Sequence, residues 1–338
     1  MEVSIICTIY NKEPWIDEVI QGFLKQKCNF DYEIILVDDA SRDHSPSIIG
    51  HYQEKYPDKI RTVFHRENLG ITKTWIESCK LAAGKYIARC DGDDYWIDEY
   101  KLQKQVDLLK FSRDSRWSCS DFDIISEQKN FYQKNAIQNG IIRKISNFEE
   151  MLAFKGMTMS STWLVDRDLM LEVNDSIPND AVDDTFCIQL ELFTRTKLLF
   201  LQDSTTVYRL HDNSDSHPKS FEKMASRFEK LQDLQREYLE KYYDKINLKK
   251  LSNYLFSEIT EQEKILTQRQ EELLTQLENA QTLFDELIEE KAKLKSVEER
   301  LNAEIIEKSY WLNEFNRVVQ SKRWIVTTKI INFFRRNR

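Results

Sequence analysis

The sequence predicts an α/β fold, a mostly parallel sheet with flanking helices, followed by a long α-helical coiled-coil region. Three observations carry that prediction. Short apolar runs of strand length alternate with amphipathic stretches of helical length through residues 1–217. All seven glycines lie at or before Gly156 and the last of five prolines is Pro218, so residues 219–338 contain no helix breaker. Within that stretch Leu266, Leu273, Ala280, Leu287, Leu294 and Leu301 recur at every seventh position.

The elements follow in order. VSIICTI (3–9), YEIILVDD (32–39), IRTVFH (60–65) and KYIARC (85–90) read as short buried strands. Their alternation with helical stretches implies parallel pairing through crossover helices, and such sheets bind ligands at the carboxyl ends of their strands. KLQKQVDLLK (101–110) reads as a helix started by Asp98. WSCSDFDIIS (117–126), SSTWLVDRD (160–168) and KLLFLQDSTT (197–206) read as further strands, and AVDDTFCIQLELF (181–193) as a helix opened by an acidic pair.

Past Pro218 the heptad row gains a second row four positions on, Leu277, Phe284, Ile305 and Leu312, interrupted by Lys291 and Glu298. Two such rows predict a coiled coil through which the chain forms a homo-oligomer, with register and partner number open. One long amphipathic helix laid on the globular part is the competing arrangement. The last segment, SKRWIVTTKIINFFRRNR (321–338), has six basic residues and no acid. On a helical wheel Trp324, Val326, Ile330, Ile331, Phe333 and Phe334 share one half. That suits an anionic membrane surface, with apolar runs too short to span it; packing on a partner helix is the alternative. The expected domains are 1–217, catalytic; 218–318, helical; and 319–338, a basic amphipathic tail.

The formal net charge of −8 over 338 residues offers no overall basic field for a nucleic acid. The six cysteines are scattered, without C-x-x-C pairs, which fits buried free thiols in a reducing cytoplasm. The opening MEVSIICTIYN has an acidic residue where a signal peptide carries basic ones, so a cytoplasmic location is expected.

Polar residues gather at the strand ends: Thr8, Tyr10 and Asn11; Asp38 and Asp39; Asn68 and Gly70; Asp91, Asp93 and Asp94. Three acids crowded around Gly92 raise one another's pKa unless a cation holds them, so a positive partner from outside the chain is expected. Carboxylates at a sheet rim suit a hard ion such as Mg²⁺ or Mn²⁺ bridging a diphosphate. Asp94 is also readable as a turn cap.

The runs SIICTIYNKEPWIDEVIQGFLKQ, EIILVDDASRD and ENLGITKTWIESCKLAAGKYIARCDGDDYW together resemble the family 2 glycosyltransferases of the GT-A fold over residues 1–215, and the tail 321–338 resembles the ends of bacterial capsule and cell-wall glycosyltransferases, whose acceptors are lipid-linked. The resemblance implies that Thr8 and Tyr10 line the nucleotide pocket beside Asn11, that Asp39 reads the base, and that Lys73 faces the donor phosphates. It implies Asp93 as the metal ligand, Asp91 as its helper near the ribose, and His211 near the metal. From the acidic pair Asp183 and Asp184 it implies Asp184 as general base, and from VYRLHDNSDSH it implies Arg209 and Ser214 facing phosphate. The function so implied is metal-dependent, inverting transfer of a sugar from a nucleotide donor to a lipid-linked surface glycan, at the inner face of the plasma membrane. Two other readings stand beside it. A sugar-1-phosphate nucleotidyltransferase shares the sheet-and-metal logic but opens with a Gly-rich basic loop unlike TIYNKEPWI. A membrane-bound coiled-coil scaffold with an inactive head would have no need of Asp39, Asp91, Asp93 and Asp184.

Overall fold

The computed structural model describes residues 1–126, 130–179, 181, 183–211, 220–320, 329 and 332. The chain runs β1 (Val3–Ile9), α1 (Ile16–Leu24), β2 (Tyr32–Asp38), α2 (Ser45–Lys55), β3 (Ile60–Phe64), α3 (Ile71–Cys79), β4 (Tyr86–Arg89), β5 (Tyr95–Trp96), α4 (Lys101–Phe111), β6 (Trp117–Ser126) and β7 (Phe131–Gln133). It continues through α5 (Phe148–Phe154), a 3₁₀ turn (Ser160–Thr162), β8 (Leu164–Asp166), α6 (Arg167–Asn174), α7 (Asp184–Arg195), β9 (Leu198–Arg209), α8 (Phe221–Lys241) and α9 (Leu248–Val319).

The strands form one sheet in the order β3-β2-β1-β4-β8-β6-β9-β5, with β7 paired to β6. β1, β2, β3 and β4 are parallel, as their crossover spacing requires. β8 then enters antiparallel to both β4 and β6, and β9 returns parallel to β6. The parallel part is therefore the N-terminal half, and the second half is mixed.

The period-2 alternation of β-structure divides the apolar residues between two cores. Ile6, Ile35, Val37 and Ile87 face one cluster with Trp75, Leu169 and Leu190 from α3, α6 and α7. Ile5, Cys7, Ile34, Leu36 and Ala88 face the other, filled by Val19 and Phe23 of α1 and Leu102 and Val106 of α4. Gly84 lets the turn before β4 press against β1: a Cβ there would stand 2.5 Å from the Ser4 nitrogen.

Two segments differ from the sequence reading. SSTWLVDRD is not one strand: its serines form the 3₁₀ turn, only Leu164–Asp166 pair in the sheet, and Asp166 caps α6 through the Leu169 N–H. α4 starts without a side-chain cap, because Asp98 lies two residues ahead of Tyr100 and is spent on the Tyr100 N–H and the Lys104 ammonium.

The compact unit extends to Ile259 rather than ending at 217, because Leu231 and Tyr238 of α8 and Leu251 of α9 join the first core. Glu191 of α7, wholly buried, accepts from Lys241 and Tyr242 at the end of α8 and pairs with Arg195. The second unit, Thr260–Arg338, is described as helix up to Val319. Along it Leu266, Leu273, Leu287, Leu294 and Leu301 are each more than half exposed. The basic tail 321–338 lies outside the described residues apart from Lys329 and Asn332. Among the described residues no helix is long and apolar enough to cross a membrane. All six cysteines are free, and all but Cys28 are buried.

Candidate active site

The acidic strand ends converge at one rim. β1 stops at Ile9, and Asn11 turns the chain with φ 54°, its side-chain oxygen taking the Arg42 N–H. Thr8 is half-buried and Tyr10 exposed. At the end of β2, Asp38 accepts from the Ser41 N–H through one oxygen, and its other oxygen is buried without a protein partner. Asp39 is buried too. It accepts the Leu69 and Gly70 N–H groups and lies 2.8 Å from His65 Nδ1, so it fixes the loop between β3 and α3. A carboxylate offers about four acceptor sites, which leaves Asp39 capacity for one further donor.

The three acids after β4 have separate surroundings. Asp91 faces Arg89, whose Nε donates to it at 3.2 Å, and accepts from Ser160 Oγ at 2.9 Å. Asp93 accepts from Lys12 Nζ at 2.5 Å and lies 2.9 Å from His211 Nε2. Burial works against its charge, but His211 and Lys12 outweigh it and hold the carboxyl at about 2. Asp94 is buried, accepting from Ser161 Oγ and from the Arg209 N–H. Burial, with Asp93 and Asp91 beside it, pushes its carboxyl well up. Two expectations are thereby corrected. The positive charge that the cluster calls for is supplied in part by the chain itself, through Lys12 and Arg89. Asp94 is no turn cap but a buried clasp between the turn after β4, the 3₁₀ turn and β9.

Asp183 does cap α7, through the Phe186 N–H, and pairs with Arg227 of α8. Asp184, next along, is almost wholly buried and accepts from Arg89 Nη1 at 3.0 Å. Burial raises its carboxyl above the ordinary range, opposed by the Arg89 charge. Arg209 is buried: its Nε donates to the Asp93 carbonyl and its guanidinium pairs with Glu18 at 2.6 Å. Lys73 is exposed on α3. Ser214 lies outside the described residues.

The structure thus brings Asp91, Asp93, Arg209 and His211 together and joins Asp184 to them through Arg89. It keeps Asp39 and Lys73 on the β3–α3 side. Of the expected metal set, Asp93 and His211 meet, while both Asp91 oxygens face Arg89 and Ser160. Among the described residues no three His, Cys, Asp or Glu form a ready metal cage. The chemistry of the Asp93–His211 pair fits a divalent ion all the same: an ionised carboxylate and an imidazole sharing one locus are common ligands. Lys12, Glu18, Arg89, Ser160 and Trp15, which stacks on His211 at 4.4 Å, were not legible as site residues. A basic residue in the loop after β1 and an arginine ending β4 were the available signals.

Residues 4–169 match the family described as Glycosyl transferase family 2. An uncharacterized protein of Mycobacterium tuberculosis is 42% identical over 107 residues, 32% of this chain and 31% of its own length. A putative teichuronic acid biosynthesis glycosyltransferase of Bacillus subtilis is 30% identical over 125 residues, 37% of this chain and 48% of its own. These curated relatives are thus matched over less than half their length. Among solved structures, S. aureus TarS 1–349 in complex with UDP superposes with TM-score 0.55 at 16% identity, covering 77% of this chain and 71% of that one. The likeness establishes a shared fold.

Proposed function

We propose that this chain, whose residues 4–169 match the glycosyl transferase family 2 model, acts in polysaccharide biosynthesis and moves a sugar from a nucleoside-diphosphate donor to a hydroxyl of a lipid-linked surface glycan, with inversion. The carrying observation is that a metal-type pair, Asp93–His211, and a buried acid at a helix start, Asp184, occupy one rim and are linked through Asp91 and Arg89. TarS, which shares the fold, binds UDP and UDP-GlcNAc; a nucleotide donor is the matching ligand here.

In this reading Asp184 takes the acceptor proton as the hydroxyl attacks the anomeric carbon. Asp93 and His211 would hold Mg²⁺ or Mn²⁺, which when bound offsets charge on the departing diphosphate. Thr8, Tyr10 and Asn11 line the nucleotide side, and Asp39 meets the base. Lys73 and Ser214 are assigned to the donor phosphates. Arg209, held by Glu18 and the Asp93 carbonyl, secures the loop carrying Asp93.

The test is a screen of UDP-, GDP- and dTDP-sugars with Mn²⁺ or Mg²⁺, read by thermal stabilisation and nucleotide release. Asp93→Asn should keep its fold and lose turnover at least about a hundredfold. Normal turnover by that variant, or a wild-type protein that neither binds nor turns over any of these donors, sinks the reading. We further propose that the α9 leucines pair copies of the chain and that residues 321–338 rest on the anionic inner face of the plasma membrane. Full-length protein sedimenting as a monomer would refute the first. Flotation with anionic vesicles that is unchanged on deleting 321–338 would refute the second.

A further inference from the structure

Arg89 ends β4 with 3% of its surface exposed, its guanidinium over the Trp75 ring at 4.5 Å and 5.8 Å from that of Trp163. An arginine so buried must have its charge paired, because an uncompensated buried cation costs several kcal/mol. Its two partners belong to different parts of the site. Nε reaches Asp91, in the acidic turn after β4, and Nη1 reaches Asp184, at the start of α7, 95 residues further along the chain. The planar, rigid donor fork sets the separation of the two carboxylates in a way a flexible lysine would not. The tryptophans leave the guanidinium little freedom to turn, and Asp91 is held from its other side by Ser160 Oγ.

We propose that Arg89 is a positioning residue: it fixes the Asp184 carboxylate against the donor-side acid Asp91, so that base and donor are set at one distance. This rests on the reading of Asp184 as general base. It assigns to Arg89 no contact with the reacting atoms and no share in donor affinity.

The experiment compares Arg89→Gln, Arg89→Lys, Asp184→Asn and the double variant Arg89→Gln/Asp184→Asn. Readouts are UDP binding with MnCl₂ by calorimetry, release of UDP from whichever UDP-sugar the wild-type protein turns over, and a crystal structure of Arg89→Gln. Arg89→Gln should bind UDP within about threefold of wild type, lose kcat about a hundredfold with the donor KM little changed, and show Asp184 displaced. Arg89→Lys should recover part of the loss, and this milder variant keeps the test usable if Arg89→Gln folds poorly. The double variant should be no slower than Asp184→Asn alone, since residues acting through one group are not additive. Losses that multiply, a kcat within threefold of wild type, or UDP binding that falls in step with kcat overturns the proposal. A wild-type protein inert towards every donor fails the functional reading instead; the position of Asp184 in the Arg89→Gln crystal still decides whether Arg89 fixes it.

Discussion

Asp93 and Asp94 are neighbours in sequence whose carboxyls shift in opposite directions: His211 and Lys12 hold the first down, whereas burial beside Asp93 and Asp91 pushes the second up against the Ser161 and Arg209 hydrogen bonds. Asp94 carries a raised pKa, so the native chain keeps a proton that the unfolded chain releases above about pH 4. Stability must fall as pH rises through the window between the unfolded and folded values. Asp94→Asn should flatten that dependence in urea melts at pH 5 and pH 7, whereas Asp94→Ala should cost about 2 kcal/mol by stranding the Arg209 N–H and Ser161. An Asn variant with the wild-type pH slope would refute the assignment. Asp184 is also raised, but in the proposed role of base it must be ionised to work. Turnover should therefore fade, as pH drops, at a higher pH than an ordinary carboxylate near 4 would give. Asp184→Asn should lose 10²- to 10⁴-fold in kcat while still binding UDP; a smaller loss leaves the base unassigned. The acids were legible because they cluster in short motifs at strand ends. Their partners were not: Lys12 meets Asp93 across 81 positions, and no spacing rule reaches that far.

At the scale of elements, β1 was legible to the residue and β2, β3 and β4 to within one or two at their ends, because apolar runs bounded by polar clusters are local signals. The segment at 160–168 misled for a reason its own residues supply. Ser160 and Ser161 have acidic partners at Asp91 and Asp94, and side-chain hydrogen bonds of this kind draw the backbone into a turn at the expense of a ladder. Gly84 makes a sharper point about fit. Its missing Cβ would meet backbone, Ser4 nitrogen at 2.5 Å and Val3 carbon at 2.6 Å, and β1 is pinned between β2 and β4. Gly84→Ala should cost about 2–3 kcal/mol or more, read as a shift of the urea midpoint. A shift under about 0.5 kcal/mol would mean the strand yields.

For the whole molecule, alternation along the first 217 residues signalled the sheet, while its change of direction was hidden. β8 is three residues long, and its reversed sense follows from contacts that only the fold assembles. α8 reads from sequence as the opening of the helical region, yet it belongs to the compact unit, because Glu191 gathers Lys241 and Tyr242 from 50 and 51 positions away. The order of strands has a further consequence. The family match stops at residue 169, but β6 lies in the sheet interior only because β9, made of residues 198–209, runs beside it from Trp117 to Ile125. A fragment ending at 169 would leave the β9-facing side of β6 as an edge of unpaired backbone N–H and C=O groups, a template on which other chains can add strands. Expressed alone, 1–169 should aggregate, whereas 1–259 should stay soluble, as light scattering would show. The stretch most easily recognised in this chain is thus not a piece that can live without the stretch that follows it.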